Sequence, residues 1–226
     1  MRPFLLVLSA PSGGGKTTIA KNLLQARNDL GYSVSATTRP IRPGEREGVD
    51  YHFISRAEFE RRRKNGEFLE WATYGGELYG TLKSEIERIF SQGWHAVLDI
   101  EIEGARQIRA TYPHSLHLFV LPPSAEVLVE RLTGRNTENP QLLRKRLIRA
   151  ADELAAVSEY QYAIVNENLN DALDHVAAIL DGAGEPYRVS IQSALPGFVE
   201  QLRRDVVKAA DKVGAKPRVQ GRESRK

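Results

Sequence analysis

The stretch LSAPSGGGKTT, residues 8–18, sets Gly13, Gly14 and Gly15 directly before Lys16, Thr17 and Thr18. Consecutive glycines let backbone N–H groups converge on an anion, and a lysine adds a point charge toward the outer phosphates of a nucleotide. A hydroxyl such as that of Thr17 can hold Mg²⁺. The preceding apolar run 4–8 reads as a strand and the following residues as a helix, whose N-terminal dipole favours negative charge. Ala10 stands where the common pattern has glycine. That residue leaves the strand before the tight wrap and has no need of positive φ. Ala10, Pro11, Ser12 and the six residues that follow are therefore candidates for a nucleotide-phosphate loop; a flexible glycine loop before an ordinary helix would leave the Lys-Thr pair unexplained.

Other residues could complete such a site. In HAVLDIEIEG, Asp99 ends an apolar run, where a carboxylate can share the metal with Thr17; a lone acid at a strand end can equally be solvated. In SVSATTRPIRPGEREGVDYHF, residues 33–53, prolines stiffen a loop carrying Arg39 and Arg42, with Tyr51 beyond. Two guanidinium forks and a phenol suit one dianion, although loop arginines are often only solvated. The polar segment TGRNTENPQ, 133–141, sits between two helix patterns and reads as a mobile lid. His114 and His117 have no third ligand beside them, so no metal site is expected there.

Stepping outward, apolar runs alternate with helix-period segments, as in βαβ units around a parallel sheet. Strands are predicted over 4–8, 96–100, 116–121 and 162–165. Helices are predicted over 17–27, 103–111, 124–133, 140–157 and 171–180, with a further one near 197–213. Between 32 and 92 the rhythm shortens, with a capping box at Ser55 and Glu58, and reads as an insert.

The 226 residues contain no cysteine, which excludes disulfides and thiolate metal sites and suits a reducing cytosol. No apolar run approaches the roughly 20 residues that cross a bilayer, and no signal peptide is apparent. A soluble, cytoplasmic protein without membrane association is expected. The net charge is +3; residues 203–226 hold nine Lys/Arg against three Asp/Glu, so the basicity belongs to the tail. That tail reads as mostly disordered and as no specific nucleic-acid site.

The pieces SAPSGGGKTT, SATTRPIRPGE, DYHF, EFLEWA, YGT, VLDIEIEGARQI, RLTGR, RKRL and IVNEN follow one another in this order. Together they closely resemble the guanylate kinases, over about residues 4–180. The resemblance implies an α/β fold: a P-loop NTPase-type parallel sheet core with an inserted nucleotide-monophosphate-binding subdomain and a lid. It implies a kinase domain over 1–183, with core 1–32, 93–124 and 158–183, insert 33–92 and lid 125–157, then a basic extension over 184–226. It also implies Mg²⁺-dependent transfer of the γ-phosphate of ATP to GMP or dGMP, in purine nucleotide metabolism, with ATP and GMP as partners.

Carried over position by position, the family pattern puts the GMP phosphate on Arg39, Arg42, Tyr51 and Tyr79. It puts guanine against Ser35, Glu70, Thr81 and Glu101, with Gly80 and Asp99 beside them. Guanine offers N1–H and the 2-amino group as adjacent donors, which a carboxylate can take together, and O6 as an acceptor for a hydroxyl. Adenine lacks N1–H, so a buried carboxylate would be left unpaired. Arg131, Arg135 and Arg146 match arginines that close over the phosphates, while Arg144 faces elsewhere. Asn166 matches a position near adenine, or serves as a plain turn residue. Glu101 replaces a usual aspartate, Glu103 a common glutamine, and Asn136 the second glycine of G-R-G. A guanylate-kinase-like protein-binding module is disfavoured by the intact Lys16, Thr17, Asp99 and lid arginines. A ribose bisphosphate kinase is disfavoured by Ser35, Glu70 and Thr81, which a sugar phosphate does not need.

Overall fold

The computed structural model describes residues 2–134 and 139–214. Its larger sheet has five parallel strands: β1 (Leu5–Ser9), β2 (Leu30–Tyr32), β7 (His95–Asp99), β8 (Leu116–Leu121) and β9 (Tyr162–Val165). Their spatial order is β2-β7-β1-β8-β9. The central strands are almost wholly buried and mostly apolar because both faces are covered. Along β1, Leu5 and Val7 join one hydrophobic cluster while Leu6 and Leu8 join the other, the period-2 alternation of a strand between two layers.

One layer holds α1 (Lys16–Ala26) and α7 (Leu169–Leu180). The other holds α3 (Lys83–Phe90), α4 (Ile102–Thr111), α5 (Ala125–Thr133), α6 (Pro140–Leu154) and α8 (Leu195–Gly214). Ser124 caps α5 by accepting the Val127 N–H at 3.3 Å. The predicted helix over 140–157 ends at Leu154, and the chain continues as a 3₁₀ turn, Ala155–Glu159.

The segment after β2 builds a second, mixed sheet of β3 (Ala36–Thr37), β4 (His52–Phe53), β5 (Phe68–Tyr74) and β6 (Glu77–Leu82), in the order β4-β3-β6-β5. Helix α2 (Arg56–Lys64) begins at Ser55, whose hydroxyl accepts the Glu58 N–H, and buries Phe59 against Phe68 with ring centroids 4.3 Å apart. This sheet has its own small core of Ala36, Phe59, Phe68, Leu78 and Leu82.

The helix predicted near 197–213 forms over Leu195–Gly214. It buries Leu195, Val199, Leu202, Val206 and Ala210, a spacing of three and four that makes one helical stripe. That stripe covers α6, and Arg203 donates from Nε to the Ala151 carbonyl at 3.0 Å. The tail beyond Gly214, expected to be disordered, lies outside the described residues. Replacing Leu202 with alanine is expected to destabilise the fold by about 2–5 kcal/mol, while the outward Val207→Ala should change it by less than about 0.5 kcal/mol. Urea unfolding of the two variants checks whether α8 is part of the core.

Candidate active site

The parallel pairing of β1 with β7 sets Leu8 opposite Asp99, so the chain leaving β1 turns beside the carboxyl end of β7. The loop then closes on itself: Gly14 donates its N–H to Pro11 O at 2.8 Å, and Gly13 and Gly15 have φ of 85° and 96°. A Cβ on Gly14 would lie 2.8 Å from that of Ala10. Ala10 is itself buried, so a small residue is what this position requires. Gly15 is the N-cap of α1, and the first N–H groups of that helix have no intrahelical acceptor. Free N–H groups at a helix start are suited to holding an anion.

Lys16 folds back across the loop. Its Nζ donates to Glu101 Oε1 at 2.8 Å and to the Ile100 carbonyl at 3.3 Å, and lies 3.5 Å from Asp99 Oδ1. Burial works against its charge, yet the Glu101 and Asp99 carboxylates outweigh burial and hold its pKa above the ordinary lysine value. The Thr17 hydroxyl donates to Asp99 Oδ2 at 2.5 Å. The other oxygen, Oδ1, is buried and accepts no hydrogen bond. A hydroxyl next to a carboxylate with an unsatisfied oxygen is the donor set that a hard divalent cation takes when phosphates supply its other ligands. Thr18, in the first turn of α1, is exposed.

The loop is braced from behind. Gly14 O accepts from Asn166 Nδ2 at 3.2 Å and from Arg131 Nη1 at 3.3 Å, and Arg131 Nη2 donates to the Asn166 carbonyl at 3.1 Å. Arg131 and Asn166 thus hold the loop backbone here. Arg146, on α6, brings Nη2 to 3.5 Å from Ser12 Oγ. Arg135 and Asn136 lie outside the described residues. Arg144 pairs with Asp211 at 3.2 Å, away from the loop.

Across the cleft, β5 and β6 pair Glu70 with Thr81. Thr81 Oγ1 donates to Glu70 Oε1 at 2.6 Å, and the carboxyl is buried, which pushes its pKa up to about 7. Its Oε2 abuts Gly104 of α4, where a Cβ would collide with it. Gly80 packs likewise without a side chain, since a Cβ there would sit 2.8 Å from the Phe68 ring. Ser35 begins the approach to β3 and accepts the His52 N–H on its carbonyl at 2.9 Å.

Arg39 is held in a two-pronged pair by Glu45, at 2.8 and 2.9 Å, and its guanidinium lies 5.3 Å from the Tyr51 ring centroid. Tyr79 stands edge-on to Tyr51 at 5.9 Å. Burial first, then the Asp99 charge, pushes the Tyr51 phenol up to about 12, so it is a hydrogen-bond donor at neutral pH. Arg42 is exposed nearby, with its N–H on Glu45 Oε2 at 2.8 Å. Glu101, assigned by the resemblance to guanine, has its carboxylate on Lys16.

Four residues escape a reading of sequence alone: Glu45, Gly104, Glu153, which accepts the Ser12 N–H, and Arg149, which donates to Glu153. Two had a signal. Gly104 falls in the first turn of a predicted helix, where a glycine with no turn to make marks a close approach. Glu153 sits within the apolar rhythm of Leu143, Leu147, Ala150 and Leu154, where a charge needs a partner.

Residues 2–183 match the family model described as Guanylate kinase. The chain is 44% identical over 176 residues to a guanylate kinase of Thermobifida fusca, covering 78% of this chain and 90% of that one. It is 42% identical over 196 residues to a guanylate kinase of Carboxydothermus hydrogenoformans, covering 86% and 96%. The crystal structure of guanylate kinase from Anaplasma phagocytophilum is similar with a TM-score of 0.67 and 34% identity, covering 88% of this chain and 94% of that one. With that coverage and a phosphate loop facing a buried carboxylate, the chain belongs to the guanylate kinase family, P-loop kinases that bind ATP and phosphorylate GMP to GDP.

Proposed function

We propose that the donor phosphates of ATP lie on 10–18 and that GMP, or dGMP, lies across the small sheet with its guanine on Glu70. The observation that carries this reading is the buried Glu70–Thr81 pair, a carboxylate fixed by a hydroxyl with its second oxygen directed at the α4 backbone. Residues 33–92 act as the acceptor-binding insert and 125–157 as the lid region, with 1–32, 93–124 and 158–183 as the core.

In this reading Glu70 takes the guanine N1–H and 2-amino donors, and Ser35 and Thr81 serve the polar edge beside them. Glu101 stays with Lys16 until donor phosphates compete for that ammonium. Arg39, Arg42, Tyr51 and Tyr79 receive the GMP phosphate, with Glu45 fixing the plane of the Arg39 fork. Thr17 and Asp99 would hold Mg²⁺, which would supply charge neutralisation on the transferring phosphoryl group. The acceptor oxygen is already ionised near neutral pH, so no general base is needed. Lys16, Arg146 and, from the lid, Arg135 meet the charge that develops on the equatorial oxygens. Arg131 acts with Asn166 by fixing Gly14, and Asn166 also borders the adenine. This activity is placed in the cytoplasm, where ATP and GMP are met; among the described residues no helix is long and apolar enough to cross a membrane.

An acceptor panel tests the base assignment: ADP should form from ATP with GMP or dGMP and only slowly with AMP or CMP, and equal rates with AMP would sink it. Glu70→Gln should lower kcat/KM for GMP by about 10- to 100-fold, the scale of a lost charge-assisted hydrogen bond.

Acidification should act on the same group. Only the ionised Glu70 accepts both guanine donors, and its pKa stands near 7, so KM for GMP should rise as pH falls through that value. The GMP phosphate also gains a proton in this range; the part due to Glu70 is the part that disappears in Glu70→Gln, and a variant profile as steep as the parent's would refute it.

Lys16→Ala should lower kcat by at least about 100-fold, and Thr17→Ala should raise the Mg²⁺ concentration needed for half-maximal rate. Retained activity in both would mean that the donor loop is elsewhere.

A further inference from the structure

Glu153 has no part in the substrate assignments above, yet it touches the donor loop directly. It lies on the core face of α6, 9% exposed, and its Oε2 accepts the Ser12 N–H at 2.8 Å. Its Oε1 accepts Arg149 Nε, one helical turn earlier, at 2.8 Å. The Arg149 guanidinium in turn stacks over Tyr74 at the end of β5, 3.5 Å from the ring centroid. One chain of side chains therefore runs from the acceptor sheet through α6 to the start of the phosphate loop.

A carboxylate beside a polyphosphate site repels the ligand, and burial opposes its ionisation. Attraction for substrate cannot be its role. Its geometry accounts for it instead, through the donors and acceptors of the loop backbone. Gly14 N–H is taken by Pro11 O and Gly14 O by Asn166 and Arg131. Ser12 N–H is taken by Glu153. With these groups engaged, the loop is fixed without a ligand, and the N–H groups at the start of α1 are left facing the anion position. Preorganisation of this kind lowers the ordering entropy that binding would otherwise oppose.

We propose that Glu153 is a positioning residue of the donor-phosphate loop, its two oxygens clamping the Ser12 peptide and Arg149 so that the loop is held ready for ATP. This rests on the reading of 10–18 as the ATP-phosphate loop. Both oxygens must be acceptors. A glutamine can accept from Ser12 only by turning its own NH₂ toward Arg149 Nε, which is also a donor. Removing that competing donor should relieve the conflict, because a methionine at 149 keeps the contact with the Tyr74 ring.

Steady-state kinetics of the full chain, with melting temperatures alongside, test the clamp. Glu153→Gln is expected to raise KM for ATP about tenfold while KM for GMP stays within about twofold, and Glu153→Gln with Arg149→Met is expected to bring KM for ATP back to within about threefold of the parent. An unchanged KM for ATP in the single variant overturns the proposal. So does a fall in kcat that follows the melting temperature and does not recover in the double variant. Should the single variant fail to fold, the double variant decides alone: a KM for ATP near the parental value supports the clamp, and a tenfold rise overturns it. Binding of ATP to Lys16→Ala separates the two layers. If that variant binds ATP as the parent does, the loop assignment itself fails. If it does not and Glu153→Gln binds normally, only the role of Glu153 falls.

Discussion

An ammonium group buried between two carboxylates is the interaction on which the site depends. Lys16 is held charged beneath the loop by Asp99 and Glu101 at the carboxyl end of β7, and they stand there because β7 runs parallel to β1 in register. A lysine buried without them would tend toward neutrality. The same two strands therefore set the direction of the loop, the charge of its lysine and the placement of the Thr17–Asp99 pair. The phosphate site is a property of one strand pairing more than of the loop sequence.

The opposite wall follows a contrasting rule. Among the described residues no cation forms an ion pair with Glu70; a threonine hydroxyl holds one oxygen and a bare stretch of helix backbone at Gly104 meets the other. Such a carboxyl is poised between protonated and ionised, and so responds to what donates to it. The lysine of the loop is thus closely paired with carboxylates, while the Glu70 carboxyl meets a hydroxyl and a helix backbone. The two walls stand in different electrostatic regimes.

The sequence disclosed the parts whose logic is local. Apolar runs ending at Leu8 and Asp99 located the two strands, and the glycines before Lys16 defined the turn. The stiffened loop of Arg39 and Arg42 stayed ambiguous until the family resemblance gave it a ligand. Contacts between residues far apart in the chain were not legible: Glu153 on Ser12, Arg131 on Gly14, and Gly104 beneath Glu70. Each depends on how helices settle on the sheet, which periodicity does not encode. Helix α8 shows the same limit, since a helix near 197–213 was legible in the sequence without α6 being revealed as the surface it covers.

That cover bears on how the chain comes together during synthesis. The hydrophobic layer formed with α1 and α7 has all its members once the chain has passed Tyr187. The layer on the other face receives its last members only with Val206 and Ala210. Helix α6, which carries Arg146 and Glu153, therefore lacks the part of its cover that α8 supplies until the last described residues have been added. The order of synthesis makes α6 among the last elements to acquire a complete environment.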